Sequence, residues 1–144
     1  MTRITRQKIF EKIQQLDKYL SHLKQLKKEI KDENEFLEDF HLYGLVERYL
    51  QLTCQVVIDT FNLIIIEDGI EKPEDSKETI SLLFNKKIIS ENLASRLDGI
   101  VGFRNILVHE YGKIDRKKVY QCLMERLEDF DIFKKETLRW LKKI

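Results

Sequence analysis

The 144-residue sequence predicts an all-α protein, an up-and-down bundle of four long helices plus a short one. Three observations carry that expectation. Chain breakers are scarce, with one proline and five glycines in all. Lys, Glu, Leu and Ile fill the long stretches between them, a composition that favours helix. The apolar residues recur at spacings of three and four rather than two, the period of a helix face buried against neighbours. The length suits one domain, 1–144, and 42% hydrophobic with 35% charged residues suits a chain with a packed core. No internal repeat or low-complexity tract divides it.

Each element has its own warrant. Ile9, Ile13, Leu16, Leu20, Leu23 and Ile30 form one stripe, interrupted at Lys27, and predict a first helix over about 4–30. KDENE at 31–35 is an acidic turn whose carboxylates favour the N-terminus of the next helix. That helix is predicted over about 35–67, with Leu45, Leu50, Cys54, Ile58, Phe61 and Ile65 near helical spacing. Its segment VVIDTFNLIII is rich in β-branched residues and could form a buried strand, but no Gly or Pro separates it from the helical run before it. Leu63 to Ile66 are apolar in succession, so a second face must be covered, by more bundle core or by a partner subunit. EDGIEKPED is the clearest loop. Asp75 and Glu78 then stand at capping-box spacing and open a short helix over about 76–84. Ser90 is placed to cap a helix over about 91–111, Gly112 to end it, and Asp115 to cap a last helix over about 116–143.

The net charge of +1 conceals segregation. Residues 1–31 carry net +6, residues 32–110 net −9 and residues 111–144 net +4. The basic ends are either solvated helix faces or a surface a polyanion can use. Cys54 and Cys122 are isolated, and His22, His41 and His109 lack metal-ligand spacing, so no metal and no cofactor is expected. Glycine-rich phosphate loops and nucleophile elbows are absent from the sequence. No uninterrupted apolar run reaches the ~18 residues of a membrane span, and the N-terminus has no apolar signal core, so a cytoplasmic, non-membrane protein is expected.

The segment with chemical content is GFRNILVHEYGKID, residues 102–115. Leu93, Leu97, Ile100, Arg104, Leu107 and Tyr111 share one helical face, and Arg104 stands where Leu or Ile would be the default. A guanidinium there must be paired, with a carboxylate such as Asp59 or Glu47, or must line a groove or interface. Asn105 and His109 are four apart on the adjacent edge. Such a set can handle a phosphodiester. Arg offers a charged fork for phosphate oxygens, His titrates near neutrality, and Asn can orient a phosphate or hydroxyl. Alternatively, Arg104 is a structural cation and His109 complements the helix C-terminus. Lys113, Arg116, Lys117 and Lys118 follow and could hold a polyanion backbone or be a solvated first turn.

Arg104, His109 and Tyr111 read as R-x4-H-x-Y, which resembles the signature of the HepT-like proteins, a branch of the HEPN superfamily of ribonuclease toxins. ERYLQLTCQVVIDT at 47–60 resembles that family's second helix, and the likeness spans about residues 35–120, with the terminal helices fitting by length only. The resemblance implies a HEPN-like bundle that forms a homodimer, with two motif helices building one RNA site. It implies metal-independent endonuclease activity, with Arg104 on the scissile phosphate, His109 as general acid or base and Asn105 positioning the substrate. It also implies a type VII toxin–antitoxin pair in which an MntA-like nucleotidyltransferase antitoxin adds AMP to Tyr111. The competing reading is a non-catalytic helical partner, or nucleotide-binding module, of a nucleotidyltransferase.

Overall fold

The computed structural model describes residues 2–71, 73–109 and 114–143, with the side chains of Ile106, Val108 and His109 outside the description. The described residues form helices α1 (Arg3–Glu29), α2 (Glu33–Glu38), α3 (Phe40–Glu67), α4 (Ser76–Asn85), α5 (Glu91–His109), α6 (Arg116–Glu125) and α7 (Leu127–Lys143), with no strand among them. The all-α bundle is as expected. Two of the long helices, however, are each broken in two.

The first break is at Asp39. Its backbone is extended and its side chain accepts the His41 amide hydrogen, so it caps α3 and detaches α2 from it. The second is at Arg126, which separates α6 from α7 while its N–H still bonds to the Cys122 carbonyl. Both breaks redirect the chain without glycine or proline, so composition gave no sign of them.

The stripe on α1 is buried as predicted. Leu26 fills the place that Lys27 vacates, and Lys27 Nζ instead donates to the Met124 carbonyl at 2.8 Å. The α3 segment rich in β-branched residues is helical. Thr53 and Thr60 turn their hydroxyls back to the carbonyls of Tyr49 and Val56, which lets two polar residues sit fully buried. Helix α3 is the centre of the bundle, packed by α1, α2, α4, α5 and α6. It is long and apolar enough to cross a membrane by length and composition alone, but its apolar surface lies against these neighbours. Ile64 and Ile65 are buried, Leu63 is partly so, and Ile66 is exposed, so bundle core covers most of the second face.

The caps hold as the spacing predicted. The Asp75 carboxylate accepts from the Glu78 amide at 2.8 Å, and Ser90 Oγ accepts from the Leu93 amide at 3.0 Å. Gly69 has φ +74°, the left-handed region its turn requires. Between α4 and α5 the same region is occupied by Lys87, at φ 60°.

Candidate active site

Helix α5 carries the motif and is held at both sides. At its start, Ser90 donates its hydroxyl to Glu136 at 2.6 Å, tying the cap to α7. Along its length Leu93, Leu97 and Ile100 are buried in the core. Gly99 meets the Arg126 guanidinium so closely that a Cβ there would stand 2.7 Å from Nη2. Arg126 reaches this position because Asp129, almost fully buried, holds it at 2.8 Å while also taking Arg96 Nη1 at 2.6 Å. Two guanidinium groups around one carboxylate thus join α5 to the α6–α7 junction.

Arg104 occupies the stripe position predicted for it and is half-buried. Its partner is neither Asp59 nor Glu47. Nη2 donates to Gln55 Oε1 on α3 at 3.0 Å, and Nε is buried without a hydrogen-bond partner among the described residues. Gln55 Nε2 in turn donates to Asp59 Oδ1 at 2.7 Å, and Asp59 Oδ2 faces Lys12 Nζ at 3.5 Å. Asp59 therefore supports Arg104 at one remove. Glu47 is engaged elsewhere, with Arg116 Nε at 3.0 Å, an ion pair whose angles fall short of a hydrogen bond. The Arg116 guanidinium also lies 4.1 Å from the centre of the Tyr43 ring. Burial pushes the Glu47 carboxyl above its ordinary value, with the Arg116 charge pulling it down.

These contacts sort the predicted residues. Arg104 is placed against α3 and Asn105 is exposed beside it. His109 is the last described residue of α5, four positions after Asn105, and its side chain lies outside the described residues. Tyr111, Gly112 and Lys113 lie outside them as well, including the role of Gly112 in ending the helix. Of the basic residues that follow, Arg116 turns inward to α3, while Lys117 and Lys118 are exposed on the first turn of α6, which Asp115 caps through their amides. The chain on either side of the motif's last residues is thus anchored to the same helix, α3. Sequence reasoning missed Gln55, because a neutral residue gives no charge signal. The available sign was its spacing, four residues before Asp59 on one helical face. Burial pushes the Cys122 thiol up to about 12 and raises the Cys54 thiol as well, which favours the protonated form of both.

An arginine in an apolar stripe, held by a neutral amide on the central helix, fits the motif noted in the sequence. The comparison that decides the matter is at family level. The family described as "Ribonuclease HepT-like" matches residues 16–137, most of the chain. The chain belongs to the HepT-like ribonucleases. Its enzyme class is accordingly ribonuclease. Among relatives of this HepT-like chain, the mRNA nuclease HepT of Shewanella oneidensis is 32% identical over 111 residues, covering 77% of this chain and 84% of that one. The tRNA nuclease HepT of Aphanizomenon flos-aquae is 28% identical over 141 residues, covering 98% and 95%. A solved structure of the tri-AMPylated Shewanella oneidensis HEPN toxin in complex with its MNT antitoxin superposes with TM-score 0.80 at 29% identity, over 96% of this HepT-like chain and 99% of that one. The fold is therefore that of HEPN toxins.

Proposed function

We propose that this protein is the endoribonuclease toxin of a toxin–antitoxin pair, acting as one domain that pairs with a second copy to form a composite cleft. Arg104 binds and polarises the scissile phosphate, His109 transfers protons, and Asn105 positions the substrate. The ribose 2′-oxygen attacks phosphorus as its proton passes to a general base. The bond from phosphorus to the 5′-oxygen breaks, and that oxygen takes up a proton. The motif supplies cation, proton carrier and amide, so the step is written without a metal.

One observation carries this reading. Among the described residues Arg104 is half-buried against a neutral amide rather than a carboxylate, so this contact orients its charge without cancelling it. A structural arginine in such a stripe would be expected to meet an acid, as Arg96 and Arg126 both do at Asp129. The HepT nucleases among the relatives favour a nuclease over a non-catalytic partner module.

The antitoxin is an MntA-like nucleotidyltransferase, and its target is Tyr111. The tyrosine oxygen attacks the α-phosphate of ATP, pyrophosphate leaves, and the AMP left behind adds bulk and negative charge at the motif, which repels RNA. The AMPylated toxin–antitoxin complex of Shewanella oneidensis supports this.

An RNA-cleavage assay of the parent against Arg104→Ala and His109→Ala tests the reading. Each variant should lose at least about 100-fold in rate while keeping the parent's helical circular dichroism, and cleavage by the parent should survive EDTA. If His109→Ala cleaves as fast as the parent, the catalytic assignment is wrong.

A further inference from the structure

We infer that Gln55 and Asp59 are positioning residues for Arg104, the last links of a relay running Lys12–Asp59–Gln55–Arg104 across three helices. The inference rests on the proposed role of Arg104 for its effect on cleavage, and on geometry alone for its effect on the Arg104 side chain.

The two ends of a glutamine amide are nearly equal in size but opposite in hydrogen bonding, so an unsupported amide can present either end. Here both neighbours select the same orientation. Ionised Asp59 only accepts, so the Gln55 NH2 faces it, at 2.7 Å. Arg104 only donates, so the Gln55 carbonyl faces it, at 3.0 Å. A flip would set donor against donor and acceptor against acceptor. Lys12 on α1 restrains Asp59 from the far side at 3.5 Å, with both of these side chains about two thirds covered. The spacing of Gln55 and Asp59 is one helical turn on α3, so the central helix aligns the relay with Arg104 on α5.

The relay also sets charge. A carboxylate at position 55 would hold the guanidinium equally well but would neutralise it. Glutamine holds it and leaves the full positive charge for a phosphate. The buried, unpartnered Nε of Arg104 shows that the amide is the main fixed point of this side chain among the described residues. Losing it frees the guanidinium to rotate, and small misplacements of a charge-stabilising group are costly in rate.

Gln55→Ala and Gln55→Glu separate the two effects in steady-state RNA cleavage. Gln55→Ala should lower kcat about 10-fold with KM within about 3-fold, because Arg104 keeps its charge and loses its placement. Gln55→Glu should raise KM at least about 5-fold, because Arg104 is then neutralised before RNA arrives. Asp59→Ala should follow Gln55→Ala in direction and add nothing in the Gln55→Ala background, whereas Asp59→Asn, which still offers a carbonyl, should retain more activity than Asp59→Ala. A second readout needs no activity. The Arg104 Nε–H signal in 15N NMR, assigned with Arg104→Lys, should shift or broaden in Gln55→Ala and Asp59→Ala. The conservative variants Gln55→Glu and Asp59→Asn keep the test informative if an alanine variant fails to fold. Parent-like cleavage by Gln55→Ala, with Arg104→Ala inactive, overturns the relay and leaves the proposed function standing. Parent-like cleavage by Arg104→Ala overturns the function, and the relay is then judged by the Arg104 signal. An unchanged signal in Gln55→Ala overturns the relay in either case.

Discussion

Glu47 and Arg104 stand on facing helices and show how charged residues receive different partners from their surroundings. Glu47, its side chain only 14% exposed, meets Arg116 directly in an ion pair. Arg104 meets an amide and, among the described residues, no carboxylate. For Glu47, burial outweighs the nearby cation and the carboxyl rises above its ordinary value of 4.5. A carboxyl raised in the folded state takes up its proton earlier there than in the unfolded chain. Its contribution to stability is thus greatest below the unfolded value and falls as pH climbs through the folded one. Glu47→Gln, which mimics the protonated form, should therefore melt at or above the parent's Tm at pH 7, and the difference should vanish near about pH 4. Thermal melts at the two pH values check this, and a parent clearly more stable than Glu47→Gln at pH 7 would mean that the Arg116 attraction wins.

At the scale of elements, the sequence was most legible where a stripe and a cap agreed. The stripe on α1 and the caps at Asp75, Ser90 and Asp115 are all as read from spacing. The breaks at Asp39 and Arg126 were not, because each is made by a residue that also fits a helix surface. At Asp39 the side chain caps the helix that follows, and at Arg126 the side chain pairs with Asp129 in the first turn of α7. Local helix-ending bonds place Lys87 in the left-handed region at φ 60°, just after α4, where its N–H bonds to the Phe84 carbonyl and the next amide to Leu83. Glycine adopts that conformation without the steric cost of a Cβ. Lys87 is exposed, so little contact is lost with its side chain. Lys87→Gly should stabilise the protein by about 0.5–1 kcal/mol, or about 2–4 °C in Tm, with part of the gain offset by the freedom of glycine in the unfolded chain. Calorimetry reads it directly, and a lower Tm would show that the turn's strain is absorbed elsewhere.

For the whole molecule, the charge split acquires a location. The basic C-terminal segment begins just past the motif, and its first cations divide by fold. Arg116 is committed to Glu47 and Tyr43, while Lys117 and Lys118 remain exposed. If RNA lies across the end of α5, these two lysines contact its backbone. Affinity for single-stranded RNA should fall as salt rises, and Lys117→Ala with Lys118→Ala should flatten the dependence of log K on log salt by about 0.7 for each phosphate contact removed. A salt titration by fluorescence anisotropy measures both slopes, and slopes equal to the parent's would place the RNA elsewhere.

The sequence by itself determined the class of the fold and the position of Arg104. Scarce breakers and a three-four apolar period admit little besides packed helices, and a charged residue in a stripe is visible as soon as the period is known. It also carried the motif that the HepT-like family match bears out at family level. Only the tertiary structure decided what Arg104 touches. Asp59, Glu47 and Gln55 all lie on α3 within reach of helical spacing arguments, and spacing ranks the acids first because opposite charges attract. The packing of α3 against α5 and α6 sets a different outcome. It brings an amide to the guanidinium, sends Glu47 to Arg116, and leaves Asp59 to orient the amide from behind. Which side chains meet depends on how two helices are rotated against each other, and that rotation is set by the packing of the whole core rather than by the residues that meet.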